Sequence, residues 1–315
     1  MTVPAPLGVI LAAGKGTRMA PFSDHYPKPI LPVANRPLIA HQLEILRGLG
    51  TTDVLIVIGH LGHEVVRALG EGERYGMRIR YVEQEEMLGI AHALSRLEPH
   101  VDRPFFLFLG DIFFETENLG SMLERLRSSR GVHGVLAVKR EPDLAAIKRN
   151  FIVMTEPDGR VTRVIEKPRH PRTDIKGCGI YLFDPAFFDA VRRTPRTAMR
   201  DEYEITDAIQ IFLDDGYRVE AAEVIKSDLN LSYPRDLLEL NLQLLDRSGA
   251  TKAVGTGSRL HPGVTLQRSI VMEGAVIENP IRLTNCLVFP HTVVRHSRDL
   301  TATILTQEKE IRCDD

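Results

Sequence analysis

The chain has 315 residues, 43% of them hydrophobic and 26% charged, with a formal net charge of -2. That length suits one large domain plus a smaller one, and that charge balance excludes a dedicated basic nucleic-acid binder. Cys178, Cys286 and Cys313 form no C-x-x-C pair, so neither a disulfide framework nor a zinc site is expected, and a reducing cytoplasm is. The opening M-T-V-P-A-P has no basic region or apolar signal core, and no apolar run approaches spanning length, so no membrane partner is expected.

The first predicted element is a strand over Val9, Ile10, Leu11, Ala12 and Ala13, entering a loop at Gly14 and Gly16. Small residues there let backbone N–H groups approach phosphate oxygens closely. Arg18 and Lys28, the latter between two prolines, supply charge where a polyphosphate would sit. A Walker A loop is excluded because Lys15 precedes Gly16. The dinucleotide fingerprint fails because Met19 replaces its third glycine, and Pro21 argues against a long helix after the loop. The glycines alone leave an ordinary strand-to-loop turn open.

Next, Pro37 to Leu49 has Leu38, Gln42, Ile45, Leu46 and Leu49 at mostly helical spacing. Strands are predicted over 54–58, 78–82 and 105–109, and helices over 63–69 and 90–97. Strands over 132–138, 151–154, 161–165 and 179–183 follow, then helices over 207–213, capped by Thr206 or Asp207, and 237–246. This alternation predicts an α/β fold: a Rossmann-like, mainly parallel sheet flanked by helices, with ligands beyond the carboxyl ends of the strands. The predicted catalytic domain spans 1–249. Over 250–315, hydrophobics recur at spacings often near six, from Leu260 and Val264 to Leu287 and Val293. They predict a few coils of a small left-handed β-helix-like segment, with an irregular β-rich tail as the alternative.

Several strand ends carry candidate chemistry. Asp111 follows five apolar residues and Gly110; a carboxylate there suits Mg²⁺, and a turn-forming Asp is the plain alternative. Gln84 ends a strand with an amide able to donate and accept at a nucleobase edge, and Gly89 lets backbone reach the same base. His92 reads as a packing or supporting residue rather than an acid-base catalyst. Glu166 can accept from sugar hydroxyls and Lys167 can meet a phosphate, unless E-K-P is a solvated turn.

Taken in order, the opening loop, P-K-P-I-L-P-V-A-N-R-P-L-I, Q-x-x-x-L-G-I-A-H-A-L, L-G-D, E-K-P, E-I-T-D-A-I-Q and Y-P-R-D-L-L-E-L-N resemble the sugar-1-phosphate nucleotidylyltransferases over 7–247. The nearest resemblance is to long-type glucose-1-phosphate thymidylyltransferases. It implies that Leu11, Ala13, Gly14, Gly16, Thr17, Gln84 and Gly89 bind the nucleotide, with Arg18 and Lys28 catalytic. It further implies that Asp111, Glu166, Lys167 and Gly179 serve the sugar phosphate. Mg²⁺ is the implied cofactor, on Asp111 and a second acidic ligand. At that second position this chain has Asn230, with Asp228 as a rival on the same strand face, and Ser232 replaces a usual glycine.

The implied reaction joins a sugar 1-phosphate, glucose 1-phosphate first, to an NTP, dTTP first, releasing pyrophosphate. The runner-up is a UTP-dependent enzyme on glucose or N-acetylhexosamine 1-phosphate, then a mannose-1-phosphate guanylyltransferase. A non-catalytic sugar-nucleotide-binding homologue is the alternative that Asn230 sustains. The tail is expected to mediate contacts of a homo-oligomer or to pack on the main domain; too few coils are present to build an acyl-transfer site.

Overall fold

The computed structural model describes residues 5–128, 131–198 and 201–314. It divides into two compact units, Met1–Gly14 with Gln42–Asp228, and Lys15–His41 with Leu229–Asp315.

The first unit is built on a nine-stranded sheet. Its parallel block comprises β1 (Leu7–Ala12), β4 (Asp53–Ile58), β5 (Arg78–Glu83) and β6 (Phe105–Leu109), in the order β6-β1-β4-β5. Numbers two and three belong to a small hairpin, β2 (Pro32–Val33) and β3 (Arg36–Pro37), of the second unit. Leu7, Val9, Ile10, Phe105, Phe106, Leu107 and Phe108 are all buried, as continuous apolar runs in a parallel sheet should be. The crossovers are α1 (Leu38–Gly48), α2 (Gly62–Leu69) and α3 (Ile90–Ser95), close to the predicted helices.

The other half of the sheet is largely antiparallel. After β7 (Ile112–Thr116) and α4 (Gly120–Leu126) come β8 (Val132–Arg140), α5 (Leu144–Ile147), β9 (Phe151–Thr155), β10 (Val161–Glu166) and β11 (Ile175–Phe183). β11 runs antiparallel to β6, β8 and β9. Then follow α6 (Phe187–Arg193), α7 (Ile205–Asp214), β12 (Arg218–Glu223), parallel to β8, and β13 (Ile225–Asn230), paired with β7. Phe183 stacks on Phe187 at 3.8 Å, and Phe212 meets the same ring edge-on at 5.3 Å, binding α6 and α7 to the sheet. α7 begins earlier than its capping residues suggested: Glu204 is its extended N-cap, while Thr206 and Asp207 lie in the first turn. Burial, then the neighbouring Glu204 charge, push the Asp207 carboxyl up.

In the second unit, α8 (Pro234–Arg247) leads into short strands arranged as three sheets, parallel throughout except for the last, Glu310–Arg312, which runs antiparallel to Thr303–Leu305. Ile270 pairs with Leu287 and Leu287 with Ile304, while Val276 pairs with Val293. Ser269 Oγ likewise accepts from Cys286 N, 17 residues on. The tail is therefore a three-faced β-helix whose coils fall one residue short of three hexapeptides, which explains the ragged sequence spacing. The corner residues recur at the same step: Arg268, Asn285 and Ala302 all have positive φ. Val271, Ile277, Leu283, Val288, Val294 and Leu305 fill its interior.

Candidate active site

In the first unit, Leu11, Ala13, Gly14 and Asp111 lie at or just past the carboxyl ends of β1 and β6, which with β4 are parallel strands in register that end on one edge. Glycines make that edge close. A Cβ on Gly110 would lie 2.6 Å from Leu11 O, and one on Gly59 would lie 2.8 Å from Ala13 O. Gly110 thereby brings backbone close to Leu11 and Gly59 to Ala13, and Asp111, next after Gly110, is half-buried. Gly14 is exposed, with nothing near its missing Cβ.

Gln42 is the residue that sequence reasoning missed. It falls on the apolar face of α1 and is 1% exposed. Its amide donates to Leu109 O and Ile112 O, both at 2.8 Å, bracketing Gly110 and Asp111. A polar residue in an apolar stripe was its only sequence signal.

Gln84 follows β5 and is buried; its backbone N–H donates to Ile58 O at 2.8 Å. Its side-chain Nε2 lies 3.1 Å from His92 Nδ1. With the amide donating there, the imidazole accepts at Nδ1 and carries its proton on Nε2. The His92 ring stacks on Tyr203. Tyr203 N donates to Leu88 O, and Ala91 N to Tyr203 O, so Gly89 is pinned between them. Gly89 has φ 104, and a Cβ would lie 2.6 Å from Tyr203 O; only glycine fits. His92 thus supports Gln84.

Glu166 ends β10, and the Lys167 ammonium lies 3.6 Å from its carboxylate. Lys167 has φ 43, a turn that sends the chain away from the strand, and its N–H donates to Asn150 O. Gly179 has φ 75, within the register shift between Gly177 and Tyr181, and a Cβ would lie 2.9 Å from Ile112 Cδ1. Asp228 is occupied: Lys139 reaches it at 2.9 Å and the buried Lys176 at 2.7 Å. Burial works against the Lys139 charge, but its hydrogen bonds to Asp228 and Glu141 outweigh that and raise its pKa. Burial first, then the nearby Asp228 charge, push the Cys178 thiol far above its usual range, and the charges of Lys176 and Lys139 only partly oppose them.

In the second unit, Gly16 lies under the stem of Lys28. It has φ 61, and a Cβ would meet Lys28 Cε at 2.9 Å. Lys28 itself is 8% exposed, whereas Thr17 and Arg18 are exposed. The Arg18 guanidinium sits 5.7 Å from the centre of the Tyr233 ring. No long helix follows the loop, only short 3-10 turns over Thr17–Met19, Phe22–Asp24 and Lys28–Ile30. Asn230 is exposed at the end of β13. Ser232 N and Tyr233 N both donate to Asp236 Oδ2 at 2.7 Å, closing the start of α8.

The family described as Nucleotidyl transferase matches residues 7–246. The chain belongs to that family. Among its relatives, the UTP–glucose-1-phosphate uridylyltransferase AglF of Haloferax volcanii is 34% identical over 240 residues, covering 76% of this chain and 97% of its own. The glucose-1-phosphate thymidylyltransferase of Streptomyces griseus is 34% identical over 295 residues, 90% of this chain and 81% of its own. A solved structure, a putative glucose-1-phosphate thymidylyltransferase from Bacillus anthracis in complex with a sucrose, superposes with a TM-score of 0.68 at 27% identity. It covers 77% of this chain and 96% of that one. The chain is a nucleotidyltransferase with a mixed α/β fold. Among the described residues, no helix is long and apolar enough to cross a membrane.

Proposed function

We propose that this nucleotidyltransferase joins a pyrimidine nucleoside triphosphate, dTTP first, to glucose 1-phosphate, releasing pyrophosphate. The observation that carries the base assignment is the Gln84–His92 hydrogen bond. It holds the amide in one orientation: with the His92 tautomer that accepts at Nδ1, Gln84 Nε2 is the donor and Oε1 is left to accept. A carbonyl and an N–H side by side match the N3–H and O4 of thymine or uracil, and oppose the reversed pair on cytosine. The resemblance to the Streptomyces griseus thymidylyltransferase over most of both chains supports dTTP. UTP is the second reading, favoured by the Haloferax relative.

A phosphate monoester has a second pKa of about 6 and is already largely a dianion at neutral pH, so its oxygen attacks the α-phosphorus without a general base. The protein's part is positioning and charge neutralisation. Arg18 and Lys28 bind the triphosphate oxygens, Gly14, Gly16 and Thr17 cradle them, and Glu166 and Lys167 orient the sugar phosphate. Asp111 fits Mg²⁺, which takes one or two carboxylates and fills its shell with water and substrate phosphate oxygens. No group of three or more His, Cys, Asp or Glu side chains able to hold a metal occurs among the described residues, and Asp228 is held by lysines. Such an ion, when bound, neutralises phosphate charge; Asn230 stands where the resemblance puts a second donor.

Pyrophosphate release measured with dTTP, UTP, CTP and GTP, each against glucose, N-acetylglucosamine and mannose 1-phosphates, tests this. Fastest release with dTTP and glucose 1-phosphate is expected. Release confined to GTP with mannose 1-phosphate, or none with any pair, would sink it.

A further inference from the structure

The loop that carries Arg18 and Lys28 is short of regular structure. Its backbone hydrogen bonds join residues three or four apart: Met19 to Gly16, His25 and Tyr26 to Phe22, Ile30 to Pro27, Leu31 to Lys28. Such isolated 3-10 turns are weak on their own. What orders them comes from the far end of the chain. Phe22, 2% exposed, stacks on Phe289 with ring centres 5.3 Å apart and planes 5° from parallel. Tyr26 also meets Phe289, with ring centres 5.8 Å apart in an edge-to-face arrangement.

Phe289 directly follows the β-helix strand Leu287–Val288, and its N–H donates to Leu305 O at 2.8 Å, one coil further on. It is therefore a fixed point of the β-helix and not a loop side chain in its own right. The hairpin that closes the loop is held in the same way. Asn241 of α8, fully buried, donates to Pro32 O at 3.0 Å and accepts from Ala34 N at 2.9 Å. Asn35 Oδ1 accepts from Glu273 N of the β-helix at 3.2 Å. These contacts also explain why Lys15–His41 clusters with the tail as one compact unit.

We propose that Phe289 is a positioning residue for nucleotidyl transfer: the β-helix, through the Phe22–Phe289–Tyr26 contact, holds the loop so that Arg18 and Lys28 meet the triphosphate. This rests on the assignment of those two residues to the nucleotide. Transfer between two bound substrates depends on sub-ångström placement, and a misplacement of about 1 Å can cost on the order of 100-fold in rate. Lys28 lies two residues after Tyr26, and its stem covers Gly16, so motion at Tyr26 passes directly to both ends of the phosphate loop.

The test compares wild type with Phe289→Ala, which removes the ring, and Asn35→Gly, which deletes one anchor while tolerating the left-handed φ of 64. Two readouts are needed, steady-state kinetics with each substrate varied and amide hydrogen exchange. Phe289→Ala should raise KM for the NTP about tenfold while KM for the sugar phosphate stays within about twofold, the size of loss expected when a loop is loosened and not removed. Amides of His25, Tyr26, Ile30 and Leu31 should exchange faster, with those of β6 unchanged. A purely structural role would reduce the active fraction and so kcat, leaving both KM values in place. Asn35→Gly should show the same pattern more weakly, and it carries the test if Phe289→Ala fails to fold. Unchanged exchange in the loop, or faster exchange with an unmoved NTP KM, would overturn the proposal. A wild type that releases no pyrophosphate would instead refute the assigned reaction, and the exchange data would still decide whether Phe289 anchors the loop.

Discussion

The two compact units order their candidate site residues by different means. In the first, Leu11, Ala13 and Asp111 lie at or just past the ends of parallel strands whose ladders fix the backbone to within a hydrogen bond. In the second, Gly16, Arg18 and Lys28 sit on or beside isolated 3-10 turns, ordered by side chains of α8 and the β-helix and by a β-helix backbone N–H. A strand end inherits its order from the sheet core and tolerates change around it. A loop held by a few remote side chains depends on each of them, and can be loosened without harming the fold.

The largest expected effect breaks each half at its charge. Lys28→Ala in the loop and Asp111→Ala at the strand end should each lower kcat by about 10²- to 10³-fold, the cost of deleting a preorganised charge stabiliser. Thermal unfolding should move little for Asp111→Ala. Near-normal turnover in either variant would remove that residue from the chemistry.

Gln42→Leu sharpens the comparison within the strand half. It leaves the Leu109 and Ile112 carbonyls without their amide donors in a buried place, costing about 1–3 kcal/mol of stability. Denaturant titration should show it, together with a reduced kcat from a displaced Asp111 turn. An unchanged midpoint would mean that water or repacking satisfies those carbonyls.

A smaller effect is expected from His92→Ala. With no Nδ1 to receive its N–H, the Gln84 amide is free to turn over and match cytosine. The preference for UTP and dTTP over CTP, read as a ratio of kcat/KM values, should fall by about tenfold, the worth of one hydrogen bond of ~1.4 kcal/mol. A ratio that does not move would detach His92 from base choice.

The smallest effect lies at the opposite edge of the sheet. Asp53 at the start of β4 accepts from Arg78 and Arg103 at 2.7 Å. Partial burial disfavours its charge, but those two guanidinium groups outweigh it and hold the carboxyl below its usual value. A depressed folded-state pKa contributes stability above the unfolded value near 3.8, lost as pH falls through the lower folded value. Asp53→Asn should therefore be slightly less stable than wild type at pH 6, by about 1 kcal/mol or less after solvent screening. The two unfolding curves should converge below about pH 3, where both side chains are neutral. A gap that persists in acid would assign the difference to packing.

Much of this was legible from residue order. Apolar runs such as F-F-L-F-L and V-L-I-V-I announce buried parallel strands, because burying both faces of a strand demands continuous hydrophobicity. The glycines after them mark strand ends where a ligand can approach backbone. Strands β12 and β13, R-V-E-A-A-E and I-K-S-D-L-N, show no such run, and they were not legible because pairing, not hydrophobicity, holds them in place.

By itself, then, the sequence determined the elements whose cause is local: burial period, turn residues and the short, near-six hydrophobic spacing of the tail. The tertiary structure alone decided which polar groups meet. Asp228 and Asn230 look equivalent two residues apart, yet Lys139 and Lys176 arrive from β8 and β11 to claim Asp228. Gln42 reads as a blemish in a helix stripe until two carbonyls from the end of β6 and the start of β7 close on it. Phe22 and Phe289 lie at opposite ends of the chain, and only packing joins the loop to the tail. Local pattern follows from each residue's own backbone and solvent preference; partnership between distant side chains exists only once the chain has folded to bring them within a few ångströms.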